Sequence, residues 1–241
     1  MAQREQPRDS RSSIRTAVVW EALEAALAGQ ERDVVDLGGG TGGFAVRLAG
    51  SGHRVRVVDP SPDALAGLAR RAREVEVEVS GLQGDVTDLV EVVGPSSADV
   101  VLCHGVLEVV DPAVALDHVA QVLRPGGVLS LVVGQRHAAV VARAMAGHFP
   151  QALALLDDQQ PLDARTGRRF TRDEVAVLLA DAGFAVSTVH GVRIFTDLVP
   201  AALVDLEPGA ASALVELERA VAERIDYQPL ATQLHFMATK V

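Results

Sequence analysis

Cysteine is almost missing from this chain: Cys103 stands alone in 241 residues. That excludes an internal disulfide and any cysteine-rich metal site, and no metal is expected. Aromatic residues make up only 3%, thin material for the base stacking by which many proteins hold single-stranded nucleic acid. Lysine is nearly absent too. Lys240 stands beside 21 arginines, a bias that reads as a GC-rich coding composition and marks no arginine as special by type. No apolar run approaches the roughly 18 residues of a membrane span, so no membrane partner is expected. The first residues, MAQREQPRDSRSS, lack the apolar core of a secretory signal; residues 1–12 read as a disordered lead-in. Positive charge is in deficit, with a formal net charge of −10. That argues against broad nucleic-acid binding while leaving room for a local basic patch. What remains, 49% hydrophobic and 22% charged, is the composition of a core-forming globular protein. One α/β domain over 13–241 and a cytoplasmic location are the simplest expectations.

From Val34 to Val133 short β-rich runs alternate with helical segments. DVVDL, RVRVVD, VEVEVSGLQGD, ADVVLCHGV and VLSLVV read as strands. Helices are expected over Gly43–Ala49, after Ser61 as N-cap with Pro62 at the first turn, and over DPAVALDHVAQVLRPGG, stopped by Pro125-Gly126-Gly127. Strands alternating with helices predict a doubly wound parallel sheet whose ligands lie beyond the carboxyl ends of the strands. Asp36 to Gly42, Asp59, Asp85 and His104 all follow strands. Farther on, HAAVVARAMAGHF reads as a helix and 150–170 as irregular. Thr171 to Glu174 opens a helix with a capping box. AVSTVHGVRIF reads as a strand, GAASALVELERAVAERI as a helix and ATQLHFMATKV as a closing strand. Cap or insertion elements are expected at about 137–170 and 197–228.

VVDLGGGTGG, Val34 to Gly43, fits two ligands. Gly38, Gly40 and Gly43 spell the dinucleotide fingerprint G-x-G-x-x-G; Asp36, Gly38, Gly40 and Gly42 spell D-x-G-x-G-x-G, a loop that receives S-adenosylmethionine. A tight turn with no ligand is the third reading. Asp59, 19 residues after Gly40, could accept hydrogen bonds from ribose hydroxyls, which suits either cofactor. Asp36 separates them. A carboxylate is unwelcome beside pyrophosphate and welcome beside an ammonium and a sulfonium. Gly84-Asp85 ends the third strand, where a polar side chain can reach an adenine or merely close a turn.

With these pieces in order, the chain resembles the class I S-adenosylmethionine-dependent methyltransferases over about 34–134: VVDLGGGTG, VVDPS, GD, ADVVLCHGVLEVVDP and LRPGGVLSLVV. The resemblance implies a Rossmann-like seven-stranded sheet of order 3-2-1-4-5-7-6 with strand 7 antiparallel and helices on both faces. IRTAVVW, CHGVLEVV, RPGGVLSL with His137, AGHF and GVRIFTD are similar more narrowly to the bacterial tRNA 5-carboxymethoxyuridine methyltransferases. These convert the carboxylate of a modified wobble uridine to its methyl ester. That resemblance implies cofactor contacts at Arg15, Gly39, Gly40, Asp59 with Pro60, Gln83, Gly84, Asp85 and His104. It implies S-adenosylhomocysteine as product.

A carboxylate acceptor needs no general base, since it is ionised at neutral pH; it needs a cation to hold it in line. Arg193, in GVRIF, is the first candidate because an arginine within an apolar strand needs a partner. Arg136, His137, Arg165, Arg168 and Arg169 are others, and the same arginines could touch phosphate. His137 joins Arg193 as a candidate at the reacting centre. The acceptor expected is tRNA or, alternatively, a small metabolite hydroxyl or acid; a noncatalytic cofactor-binding module is a third reading.

Overall fold

The strands fall into a single sheet of order β3-β2-β1-β4-β5-β7-β6. The computed structural model describes residues 7–156 and 167–241, with side chains from residue 16 onward other than those of 201, 205 and 206. The strands are β1 (Asp33–Leu37), β2 (Arg54–Asp59), β3 (Val79–Gln83), β4 (Ala98–His104), β5 (Leu123–Gly134), β6 (Phe184–Val192) and β7 (Gln233–Lys240). β1 to β5 pair in parallel, and β7 runs antiparallel between β5 and β6. The carboxyl ends of β1 to β6 therefore share one edge. The helices are α1 (Pro7–Leu27), α2 (Ala45–Gly50), α3 (Pro62–Glu74), α4 (Leu89–Val93), α5 (Pro112–Val122), α6 (Arg136–Met145), α7 (Phe149–Leu156), α8 (Arg172–Asp181), α9 (Ala201–Leu206) and α10 (Ala210–Val221).

The period-two pattern of the strands divides the core into two layers. In β4, Val101 and Cys103 join one apolar cluster with Leu116 and Val119 of α5 and Val175 and Leu179 of α8. Val100 and Leu102 join the other, with Val19, Trp20, Leu23 and Leu27 of α1, Leu48 of α2 and Leu68 of α3. Leu23 and Leu116 are fully buried. Both expected caps form. The Ser61 hydroxyl accepts the Ala64 N–H, and Thr171 and Glu174 close a capping box.

Several boundaries differ from the sequence reading. α1 begins at Pro7 and so takes in residues 7–12 of the expected lead; residues 1–6 lie outside the described ones. The alternating run VEVEVSGLQGD gives a strand only from Val79, because Val75 closes α3 and Glu76 turns in the left-handed region (φ 56°). The expected helix over 137–149 breaks after Met145, and residues 150–156, expected as irregular, join Phe149 in α7. Gly147 (φ 77°) ends the preceding helix, and Pro150 sits in the first turn, where its missing N–H costs nothing. β6 stops at Val192, so Arg193 is not inside a strand: its own φ is 60°. α4 and α9 were not anticipated.

Candidate active site

The glycine loop leaves β1 and is tied to the end of β2. Gly38 N–H donates to Val58 O at 2.8 Å, and Gly40 N–H donates to Asp59 Oδ2 at 2.9 Å. Asp59 Oδ1 accepts the Ser61 N–H at 2.9 Å. Asp59 thus couples loop and strand end while keeping lone pairs for a ligand's hydroxyls. The loop sorts the two readings of its glycines. Gly38, Gly40 and Gly42 adopt positive φ, whereas Gly43 does not and has open space where a Cβ would be. Gly39 is required for room: a Cβ there would lie 2.5 Å from Asp36 Oδ2.

Asp36 sits beneath that loop, 4% exposed. Burial, and secondarily the charge of Asp59, raise its pKa to about 7. An acid held this far out of water gains from a nearby cation. A roofless glycine loop over a desolvated carboxyl, with Asp59 beside it, fits S-adenosylmethionine, which supplies an electrophilic methyl group on its sulfonium. Farther along the edge, Gln83 and Asp85 are exposed, and the buried Gly84 donates its N–H to Asp59 O at 3.3 Å. Asp85 closes its own turn. Its Oδ1 accepts both the N–H and the hydroxyl of Thr87 at 2.6 Å, and these bonds hold its pKa low. Pro60 is exposed beside Asp59. The side chain of Arg15 lies outside the described residues. His104, half-buried at the end of β4, meets Phe44 edge to face (4.9 Å between centroids), and burial lowers its pKa to about 3.

Beyond β5 the same edge opens into a cleft of about 260 Å³, lined by Gln135, Arg143, Arg169, Asp197 and Thr232. Gln135 organises its floor. Its side chain caps α6 by accepting the Ala138 N–H, and its amide group lies 3.3 Å from His137 Nδ1. Arg193 is ion-paired to Asp197 at 2.5 Å, and Thr232 Oγ1 donates to Asp197 at 2.9 Å. Neither His137, which is exposed, nor Arg193 lines this cleft; each adjoins a residue that does, His137 through Gln135 and Arg193 through Asp197. Arg136 is turned away, paired with Glu174 at 2.9 Å and bonded to Arg169 O. Arg168 is half-buried and donates its N–H to Glu108 O at 2.7 Å. Arg165 lies outside the described residues. A larger cleft, about 800 Å³, opens at the opposite edge, where Arg54 and Arg124 are paired with Asp33. Those pairs tie the amino ends of the strands together.

Two carboxylates that sequence reasoning passed over hold the backbone near the cleft beyond β5. Glu218 of α10 is 2% exposed and accepts the N–H groups of Ile194, Phe195 and Thr196 at 2.7–2.9 Å, plus the Thr196 hydroxyl at 2.6 Å. It fixes the turn that carries Arg193 and Asp197. Glu108, just after β4, is 7% exposed. Its Oε1 accepts the Gly134 N–H at 2.7 Å, and its Oε2 is enclosed without a partner among the described residues. Burial pushes its pKa up. The available signal for Glu108 was an acid amid apolar neighbours, in VLEVV; Glu218, between Leu217 and Arg219 in LVELERAV, carried no such signal.

A seven-stranded sheet of this order, with a glycine loop and an acid after β2 at its carboxyl edge, defines the class I S-adenosylmethionine-dependent methyltransferases, and the chain belongs to them. Residues 35–131 match the methyltransferase domain family. The tRNA 5-carboxymethoxyuridine methyltransferase of Escherichia coli (strain K12) is 30% identical, aligned over 96% of this chain and 90% of its own length. A ubiquinone biosynthesis O-methyltransferase of Xanthomonas euvesicatoria is also 30% identical, over 78% of this chain and 75% of its own. Among solved structures, the magnesium protoporphyrin IX methyltransferase of Synechocystis with bound S-adenosylhomocysteine superposes with a TM-score of 0.61 over 100% of this chain and 90% of that one, at 15% identity. Among the described residues no helix is long and apolar enough to cross a membrane.

Proposed function

We propose that this methyltransferase esterifies a carboxylate carried by a modified uridine in tRNA, in keeping with its similarity to the tRNA 5-carboxymethoxyuridine methyltransferase of Escherichia coli. The observation that carries the reading is the cation content of the cleft beyond β5. Arg143 and Arg169 line it, and neither has an ion-pair partner among the described residues. Arg193 stands beside them, its charge tempered by Asp197. A guanidinium can orient a carboxylate in line with the donor. One already neutralised by Asp197 does so with less loss of the acceptor's nucleophilicity. His137 and Gln135 supply polar contacts next to the acceptor. On the donor side, Gly38 to Gly42, Asp36, Asp59, Pro60, Gln83 to Asp85, Arg15 and His104 are assigned to the cofactor. A tRNA-bound acid also explains why no general base is needed.

A second reading, methylation of a metabolite hydroxyl, draws support from the net charge of −10, the 3% aromatic content and the small cleft. A hydroxyl requires a base, and Glu108 is a buried acid packed against Gly167 of the cleft lining. Glu108→Gln keeps the bond to Gly134. It should leave turnover of a carboxylate within about fivefold, and it should cut turnover of a hydroxyl by a hundredfold or more. Tritiated S-adenosylmethionine offered with tRNA bearing the free acid, and separately with a panel of phenols and small acids, tests the choice. Label in tRNA released by mild base supports the ester; label confined to the small molecules overturns it.

A further inference from the structure

Four polar side chains cross one face of the sheet in register. His104 on β4 lies opposite Val132, Val132 opposite His235 on β7, and His235 opposite His190 on β6. Ser130, two residues before Val132 on β5, shares that face. Its Oγ lies 2.8 Å from His104 Nε2 and 2.9 Å from His235 Nε2. Ser130 and His235 are fully buried, and the His190 ring stacks on His235 with centroids 5.3 Å apart. One serine hydroxyl bridges two imidazoles, and it has a single proton to give.

The possible proton arrangements differ in what they leave orphaned. His235 Nδ1 is enclosed with no hydrogen-bond partner among the described residues. If Ser130 donated to His235, the His235 proton would sit on Nδ1 as a buried N–H with no acceptor. If both rings donated to Ser130, the serine O–H would be the buried donor without an acceptor. Unmatched buried donors are the rarer and costlier case. A single arrangement leaves no donor unmatched: His235 Nε2–H donates to Ser130 Oγ, and Ser130 O–H donates to His104 Nε2. The proton of neutral His104 is then on Nδ1. That atom has no partner among the described residues and is not among the enclosed unpartnered atoms, so it is free to meet a ligand.

We infer that Ser130 and His235 are positioning residues that fix His104 as an Nδ1–H hydrogen-bond donor, able to orient an oxygen of a bound ligand and unable to take a proton from it. Burial of the ring, which keeps it neutral, agrees. The inference rests on the reading of His104 as part of the methyl-transfer site. It deepens that reading, because a site whose histidine only donates suits an acceptor that arrives ionised.

The test is a two-bond proton–nitrogen correlation spectrum of the full chain, labelled with nitrogen-15 and saturated with S-adenosylhomocysteine, with His104 assigned through His104→Gln. The expected result is a proton on Nδ1 of His104 and on Nε2 of His235 near neutral pH. A proton on Nε2 of His104, or an imidazolium, overturns the inference. Ser130→Ala should move the His104 proton off exclusive Nδ1 occupancy and lower kcat about tenfold. Ser130→Thr should restore both. An unchanged tautomer in Ser130→Ala also overturns it, and if that variant does not fold, the wild-type spectrum alone decides. Because no acceptor is present in the spectrum, discovery of a metabolite acceptor would sink the proposed function without touching this result.

Discussion

Asp36 carries two opposed demands: it must be dry enough to sit under the glycine loop and charged enough to favour a cation. Its pKa of about 7 against 3.8 for an ordinary aspartate places the balance near neutrality. Because burial raises the folded-state value, the folded chain holds a proton that the unfolded chain has lost. The stabilising contribution is therefore whole below about pH 4, shrinks as pH rises, and is gone above about pH 7. That difference is worth on the order of 4 kcal/mol. Urea unfolding of the cofactor-free protein at about pH 5 and pH 8 should register the loss, and Asp36→Asn should remove most of it. Cofactor affinity should move the other way, rising with pH through 7 in the wild type and flat in the variant. At this scale the sequence was informative where chemistry is local. Asp36, Gly38, Gly40 and Gly42 lie in one turn, so the charge of Asp36 could single out their spacing over the one that ends on Gly43. Ser130 and His235 were less legible. Each is a polar residue at an inward position of a central strand, VLSLVV and ATQLHFMATKV, and their pairing joins residues 105 positions apart.

Among the elements, the turn after β6 shows how a helix can build a site it does not touch. Glu218 gathers three backbone N–H groups of residues 194–196, and Arg193 takes a left-handed φ to enter that turn. The Arg193 carbonyl in turn accepts from Thr232. Glu218→Gln puts an NH₂ among donors that need an acceptor, and it should cost about 2–4 kcal/mol in urea unfolding. It should also lower kcat/KM for the acceptor far more than it weakens cofactor binding. If both fall together, the turn is not specific to the acceptor side. The alternation of strands with helices and both caps could be expected from the sequence, since periodicity and N-cap residues are short-range signals, whereas the strand order was implied by the resemblance to the methyltransferase family. The end of β6 could not, because its stop is imposed by a carboxylate 25 residues on from Arg193. Likewise α7 was hidden by Pro150, which reads as a breaker unless its place in the first turn is known.

For the molecule as a whole, an acidic protein proposed to act on an anionic polymer must concentrate its contacts. Net charge is −10, yet Arg143 and Arg169 line the cleft with no ion-pair partner among the described residues, and Arg168 precedes Arg169. Few phosphate contacts give a shallow salt dependence. The logarithm of tRNA affinity should fall with the logarithm of salt at a slope of about −2, as for three contacts to single-stranded phosphates. Arg143→Ala combined with Arg169→Ala should flatten that slope and weaken binding, leaving cofactor affinity intact. The proposed acceptor side was the least legible part of the sequence. It is assembled from Gln135, Arg143, Arg169, Arg193, Asp197, Glu218 and Thr232, whose only common feature is the edge of the sheet that gathers them.

The most direct test of the central claim is nucleoside mass spectrometry. Bulk tRNA bearing the free 5-carboxymethoxyuridine acid is incubated with the protein and S-adenosylmethionine, digested, and its wobble nucleoside weighed. The account predicts a gain of one methyl group in place of a hydrogen, reversed by mild base. An unchanged nucleoside, from protein shown by calorimetry to bind the methyl donor, would contradict it.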